Sequence, residues 1–355
     1  MISKVYFYKT GDNPEITDQE EAIQHICKEA GVAEKISKDE YVAVKLHVGD
    51  VNNTTHVRPG VVKSVVDEIR KKEAQVFLTE TSTLYRGARE NAVKHIMHAV
   101  EHGFSLQETG APFIMADGLA GDSEIEVKIN GEMFDSVLVA REARMADFLM
   151  IVSHMTGHIA TGFGAAIKNL GMGLASRKGK LRQHSSIKPE IIYEKCVYCR
   201  KCEEWCPKDA ISENEGKAWI DPDKCIGCGE CLAVCRFGAV KFDWGAESDW
   251  MQKAMAEHAL GVVVDKKAFY FNVCVNMTKD CDCFTIDQKK MIPDIGILGS
   301  WDPVALDQAS LDLTKNSGEK NLNQMAAENV NGNVQLEHAE KIGLGTRNYE
   351  IVQVN

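Results

Sequence analysis

Eight cysteines between positions 196 and 235 repeat one spacing twice. Cys196, Cys199, Cys202 and Cys206 make the first copy, and Cys225, Cys228, Cys231 and Cys235 the second, each reading Cys-x2-Cys-x2-Cys-x3-Cys. Three thiolates spaced two residues apart can wrap one corner of an iron–sulfur cubane within one tight loop, and a fourth can reach across to a second cubane. Zinc takes four ligands from two Cys-x2-Cys pairs and would leave the third cysteine of each copy unused. A disulfide framework suits a short secreted chain, not one of 355 residues whose opening stretch, MISKVYFYKT, reads as a strand. The pattern points to two 4Fe–4S clusters and to one-electron chemistry.

This spacing resembles that of bacterial two-cluster ferredoxins. The resemblance implies crossed ligation, with Cys196, Cys199, Cys202 and Cys235 on one cluster and Cys225, Cys228, Cys231 and Cys206 on the other. The apolar pairs Ala210-Ile211, Trp219-Ile220 and Ala239-Val240 resemble the small hairpins that cover such clusters. Pro207 follows the fourth cysteine of the first copy, whereas Arg236 follows that of the second, a charge that raises a cluster potential unless it faces water.

Outside this unit, residues 153–184 carry Gly157, Gly162, Gly164, Gly171 and Gly173 around His158, Lys168 and Asn169, with His184 at the end. Glycines permit close backbone approach, and the helix N-terminus after them attracts anions. Lys168 there would meet a carboxylate or phosphate, or form an imine if its pKa were lowered. Cys274, Cys281 and Cys283 form a second thiol group, open to three readings: a metal site with an open position, a redox-active thiol pair, or inert buried cysteines. Cys27 lies on the apolar face of a helix and reads as a core thiol.

The elements that must position these groups alternate. Strands are expected at 5–8, 41–48, 76–79 and 148–152, with helices over 20–30, 61–71 and through His102, and a hairpin over 125–139 turning at Asn130-Gly131. A helix over 249–260, strands near 261–264, 268–273 and 295–298, helical residues at 319–340 and a strand at 349–354 follow. Such alternation implies an α/β fold with a largely parallel sheet and outer helices. The cysteine unit, 189–245, interrupts one discontinuous α/β domain made of 1–188 and 246–355. Ligands bind at the carboxyl ends of parallel strands. His47, His56, Arg58, His154 and Asp302 stand near such ends and, with Asn169, outline a substrate pocket. Asp302, followed by Pro303, also reads as a helix N-cap, and Asp307 lies one turn on.

A net charge of −11 with no basic block argues against nucleic acid. No apolar run reaches membrane-spanning length, so a cytoplasmic protein, of an anaerobe, is expected. An acidic surface fits docking to a basic redox partner protein.

Taken together, the stretch GFGAAIKNLGMGL with Lys180 and His184, the two cysteine quartets, the TKDCDC run and DIGILGSWDPVALDQA are similar to the family called domain of unknown function 362, in its form carrying a ferredoxin insertion. That resemblance implies an α/β domain with clusters nearby. His158, Gly162, Phe163 and Lys168, followed by His184, also fall at matching places of the His-x3-Gly-Phe-Ser-Gly-Gly-x-Lys motif of nickel-pincer lactate racemases, with Gly164-Ala165-Ala166 replacing Ser-Gly-Gly. In those enzymes the lysine and histidines hold the cofactor and move protons or hydride, which implies a similar pocket here. The expectation is an iron–sulfur oxidoreductase passing electrons to a small-molecule substrate or metal centre, with His158, Lys168 and His184 as the reacting groups. A non-catalytic electron-transfer subunit and a metal or cofactor maturation protein are the alternatives.

Overall fold

The computed structural model describes residues 2–184, 188–206, 208–225, 230–241, 248–315 and 320–354. Cys228, Pro207 and the expected boundary at 245/246 lie outside the described residues. From the N-terminus, β1 (Ser3–Lys9), α1 (Ile16–Glu29), β2 (Tyr41–Lys45), α2 (Pro59–Arg70), β3 (Gln75–Thr79), α3 (Ala92–Glu101) and α4 (Leu106–Thr109) alternate. The hairpin β4 (Glu124–Lys128) and β5 (Ser136–Ala140), then α5 (Arg141–Met145), precede β6 (Phe148–His154). A small pair, β7 (Thr156–His158) and β8 (Gly162–Gly164), leads into α6 (Ala166–Gly171) and α7 (Arg177–Gln183). The cysteine unit holds β9 (Glu190–Ile191), α8 (Lys201–Glu204), β10 (Ile211–Asn214), β11 (Lys217–Ile220), α9 (Glu230–Val234) and β12 (Val240–Lys241). Then follow α10 (Ser248–Val263), β13 (Lys267–Cys274), β14 (Gly296–Ser300), α11 (Pro303–Lys315), α12 (Leu322–Ala326), α13 (Asn333–Lys341) and β15 (Tyr349–Gln353).

Seven strands form the main sheet in the order β15-β1-β14-β13-β6-β2-β3. All neighbours pair in parallel except β14, which runs against both β1 and β13. The sheet is thus largely parallel, as the alternation of elements implies. The apolar run of β6 is buried along its whole length, because helices cover both faces of a central strand. Alternation sorts its side chains: Phe148, Met150 and Val152 pack toward α1 and α2, while Leu149 and Ile151 pack toward α6, α10 and α11.

Two local expectations change. Residues 261–264 continue α10 and its turn rather than forming a strand. The β4–β5 connection is longer than a tight Asn130-Gly131 turn, because the buried Glu257 carboxylate accepts from the backbone N–H groups of Glu132, Met133 and Phe134 and wraps the loop around itself.

The cysteine unit is built from small parts, with β10 and β11 as one antiparallel hairpin and β12 paired to β9. Its apolar residues, Ile211, Ala218, Ala239 and Val240, form a separate cluster with Cys196 and Cys231.

Candidate functional site

Strands β2, β3, β6 and β13 run parallel, so their carboxyl ends share one edge of the sheet. Segments leaving that edge enclose a cavity of about 500 Å³ whose walls include His47, Arg89, His158, Lys168, His184 and Cys283. His154, Asn169 and Cys281 also line it, so groups far apart in the chain, many of them singled out from the sequence, meet where the strands end.

Lys168 leaves α6 toward the cavity, and its ammonium has no hydrogen bond or ion pair among the described residues. Burial opposes its charge, but the Cys281 and Cys283 sulfurs and Asp282 more than offset that cost, so its pKa is raised. An imine-forming role needs a lowered pKa, and the structure gives the opposite. Lys168 is a fixed cation.

Cys281 and Cys283 stand one residue apart on the cavity wall. The interaction between their thiols pushes the Cys281 pKa above the ordinary thiol range and holds Cys283 below it. His47 Nε2 lies 3.3 Å from Cys283 Sγ, and Lys168 adds its charge. The Gly49 N–H donates to His47 Nδ1 at 3.0 Å, and Arg89 Nη1 lies 2.9 Å from Nε2, the nitrogen facing the sulfur. Cys283 therefore sits in a cationic surround that favours its thiolate form.

The turn that presents these thiols is held by Asp282. His154 donates from Nδ1 to Asp282 Oδ2 (2.9 Å) and from Nε2 to Val275 O (2.9 Å). Both ring nitrogens donate, so this histidine is an imidazolium: burial opposes the charge, yet Asp282 raises its pKa, and Asp282 itself is held at about 2. His154 anchors the thiol turn rather than meeting substrate.

His158 has the reverse role. Its Nδ1 accepts from Thr161 N (3.0 Å) and from Ala160 N (3.2 Å), and burial with Lys168 nearby lowers its pKa to about 3. It is a neutral ring with N–H at Nε2, a donor for an anion rather than a base. Burial likewise lowers His184 to about 4.

Other wall residues are braces. Asn169 accepts from Lys45 Nζ at 2.7 Å and donates to Val152 O and Ser153 Oγ, tying α6 to the end of β6. Lys180 donates to Thr81 Oγ1, Ser82 O and Ala175 O. Burial lowers both Lys45 and Lys180 to about 8. The N-terminus of α6 is already taken, since Asp307 accepts from Ala166 N and Ile167 N, each at 2.9 Å. The anion expected at that helix end is the protein's own carboxylate.

Four expected site residues lie elsewhere. Asp302 caps α11, accepting from Val304 N and Ala305 N, and its other oxygen takes Ser3 Oγ and Thr346 N. Arg58 is exposed ahead of α2. His56 stacks on His102, with Nδ1 3.2 Å from Asn53 Oδ1. Cys274 ends β13 with its parity set by the strand, so its sulfur enters the core 3.7 Å from Met155 Sδ, away from Cys281 and Cys283. Among the described residues, no three His, Cys, Asp or Glu side chains converge as a single metal ion requires.

Sequence reasoning missed Arg89, Tyr85 and Lys45. Arg89 donates from Nε and Nη2 to Asp50 Oδ2 (3.2 and 2.9 Å), and Tyr85 Oη reaches the same oxygen at 3.2 Å. Their signal was weak, a tyrosine and two arginines in the loop after β3. Arg86, between them, donates through Nη2 to Arg236 O at 2.6 Å and to Cys235 O at 3.4 Å. The cysteine unit therefore touches the pocket wall. Helix α7, which carries Lys180, also packs on α9.

Within that unit the thiols suit iron–sulfur ligation. Ala218, Ala210 and Ala239 N–H groups donate to the sulfurs of Cys196 (3.4 Å), Cys206 (3.2 Å) and Cys235 (3.3 Å). Backbone donors of this kind stabilise ligating thiolates. Burial, together with the nearby Cys196 and Cys199 sulfurs, raises Cys202 to about 11, a crowding that bound iron would relieve.

The family model described as Domain of unknown function (DUF362) matches residues 42–312. A segment of 62 residues is 40% identical to the protein titled Ferredoxin 7Fe of Hydrogenibacillus schlegelii, covering 17% of this chain and 80% of that one. Over 80 residues the chain is 34% identical to the Pyruvate synthase subunit PorD of Methanothermobacter marburgensis, covering 22% of this chain and 91% of that one. Among solved structures, the lactate racemase apoprotein of Thermoanaerobacterium thermosaccharolyticum superposes with a TM-score of 0.38 at 13% identity, covering 76% of this chain and 50% of that one. Among the described residues, no helix is long and apolar enough to cross a membrane.

Proposed function

This chain belongs to the family described as Domain of unknown function (DUF362), and on that premise we propose an iron–sulfur oxidoreductase that exchanges electrons between its ferredoxin-like unit and a small anionic substrate in the sheet-edge pocket. Cys196, Cys199, Cys202 and Cys235 would hold one 4Fe–4S cluster, and Cys225, Cys228, Cys231 and Cys206 the other. Bound there, the clusters supply one-electron transfer.

The observation that carries the reading is the Arg86 bridge. Its guanidinium grips the peptide of Cys235 and Arg236 while its neighbours Tyr85 and Arg89 line the pocket. In the pocket, Lys168 binds the anionic group of the substrate, His158 donates from Nε2, and the braces at Lys45, Asn169 and Lys180 fix the wall. The raised Lys168 pKa keeps a proton at Nζ for a developing anion.

The test uses anaerobically purified protein with chemically reduced clusters, mixed with candidate carboxylates, phosphates and acidic thiol compounds. Substrate-dependent reoxidation of the cluster absorbance is expected in the wild type and lost in Lys168→Met. Equal reoxidation by both proteins removes the pocket from the scheme.

A second reading is favoured by the relative titled as a synthase subunit: an electron-transfer subunit serving a partner enzyme. It expects partner-dependent cluster reduction with no small molecule bound near Lys168.

A further inference from the structure

Cys281 and Cys283 line the same cavity as Lys168, yet electron exchange with a bound anion leaves them unused. Their arrangement is specific. Phe284 N–H donates to Cys281 O at 3.1 Å, closing a turn over 281–284. Asp282 points away to His154, and Asn53 Nδ2 and Thr55 Oγ1 lie 3.4 and 3.3 Å from its second oxygen, so the turn is clamped from two sides. Both sulfurs line the cavity as free thiols, with Cys281 buried and Cys283 partly open. A structural pair would have no need of His47, Lys168 and Arg89 gathered around the more open sulfur.

We propose that Cys283 and Cys281 are a reversible dithiol–disulfide couple that reduces small acidic disulfides, with Cys283 as the attacking thiolate and Cys281 as the resolving thiol. This rests on the pocket reading above and names its substrate class. The Cys283 thiolate attacks one substrate sulfur. The substrate S–S bond breaks, a Cys283–substrate disulfide forms, and the departing thiolate stays paired with the Lys168 ammonium. Cys281 passes its S–H proton to that thiolate and attacks the Cys283 sulfur, which expels the second product thiolate and leaves a Cys281–Cys283 disulfide. The substrate gains two electrons and the protein loses two. Two single electrons from an iron–sulfur donor, with one proton, restore the thiol and thiolate. Lys168, Arg89 and the His158 N–H favour a substrate that bears carboxylate or sulfonate groups.

The full-length protein, with clusters intact and kept anaerobic, is treated with two probes: acidic 5,5′-dithiobis(2-nitrobenzoate) and neutral 4,4′-dithiodipyridine. Products are located by peptide mass mapping. The wild type should end with a Cys281–Cys283 disulfide. Cys281→Ser should stop at a mixed disulfide on Cys283, and Cys283→Ser should leave Cys281 unmodified. Lys168→Met should lower the acidic-to-neutral rate ratio by about tenfold, the loss of one matched charge. A mixed disulfide on Cys281, no internal disulfide in a wild type whose clusters remain intact, or a non-iron metal lost on Cys283→Ser would each overturn the couple. Cluster content and chemical reduction are read in the same samples. If they are normal while the thiols stay inert, only this inference fails and the iron–sulfur reading stands.

Discussion

At the scale of single residues, the histidines show how burial and partners divide one side chain into opposite states. His154 is held charged by Asp282, whereas His158, His184 and His258 are held neutral, at about 3, about 4 and about 4, with burial as the leading cause. In the unfolded chain each titrates near its ordinary value of about 6.5. Between roughly pH 6.5 and 4, the unfolded chain therefore binds protons that the native rings refuse, and stability falls as pH falls. Asp307, pushed up to about 6 by burial, works against one of them over part of that window, because there the native state holds the extra proton. His154 has the opposite sign: its contribution is full below the unfolded value and is lost as pH climbs through its raised native pKa. His258, whose Nδ1 bonds Ala254 O at 2.8 Å and which does not line the cavity, isolates the effect. His258→Leu should reduce the slope of unfolding free energy against pH by about one proton, at most about 1.4 kcal/mol per pH unit, in urea titrations between about pH 5 and 6.5. An unchanged slope means that this ring is protonated in the native state. Asp282→Asn should cost roughly 3 kcal/mol, because it leaves the His154 charge buried without its partner, and it should slow alkylation of Cys283 as the turn loosens. The same urea titration and a mapped iodoacetamide reaction read both effects.

At the scale of elements, α6 matters most, because it carries Lys168 and Asn169 and is fixed at both ends. At its start the Asp307 carboxylate takes two backbone N–H groups, and Asn272 Nδ2 also donates to it at 2.8 Å. At its end a Cβ on Gly171 would sit 2.0 Å from Met255 O of α10. Gly171→Ala should therefore separate two packed helices and cost about 3 kcal/mol, read from the urea midpoint. Asp307→Asn turns an amide NH2 toward a backbone N–H and should cost about 2 kcal/mol, with weaker anion binding at Lys168 measured by calorimetry. Much of this frame was legible in the chain. The FLMIV run announced a strand covered on both faces, and the cysteines, and His158 with Lys168 and His184, are each brought together as their spacing suggested. The sequence could not say which polar groups were already spent. Asp302 and Asn169 look equally free in one dimension, yet one caps α11 and the other braces β6. Cys274 shares its neighbourhood with Cys281 and Cys283, but strand parity turns its sulfur into the core. Arg89 and Lys45 stayed hidden because nothing local distinguishes a buried cation that joins elements through distant partners.

At the scale of the whole molecule, the exposed Arg86 and the packing of α7 on α9 join the cysteine unit to the pocket wall. Arg86→Ala should leave cluster absorbance and midpoint potential unchanged, since the cysteine ligands are untouched. Substrate-linked reoxidation should slow by roughly ten- to a hundredfold, the usual effect of misplacing reacting groups by about an ångström. Equal rates would mean that the pocket and the cysteine unit are coupled elsewhere, for instance through α7 and α9. Charge distribution then decides where a partner delivers electrons. The chain carries a net charge of −11, but acidic and basic side chains nearly balance between Lys188 and Lys241, so the excess lies on the α/β part. A partner that docks on the cysteine unit would feel little net field. Its rate of cluster reduction should change less than about threefold as ionic strength rises from about 0.01 to 0.1 M, where the screening length shrinks from about 30 to about 10 Å. A partner steered by the acidic surface of the α/β part should lose at least about tenfold over the same range. Stopped-flow reduction across that salt series separates the two docking routes. A steep fall would place electron uptake away from the cysteine unit, and with it the direction of flow between that unit and the pocket.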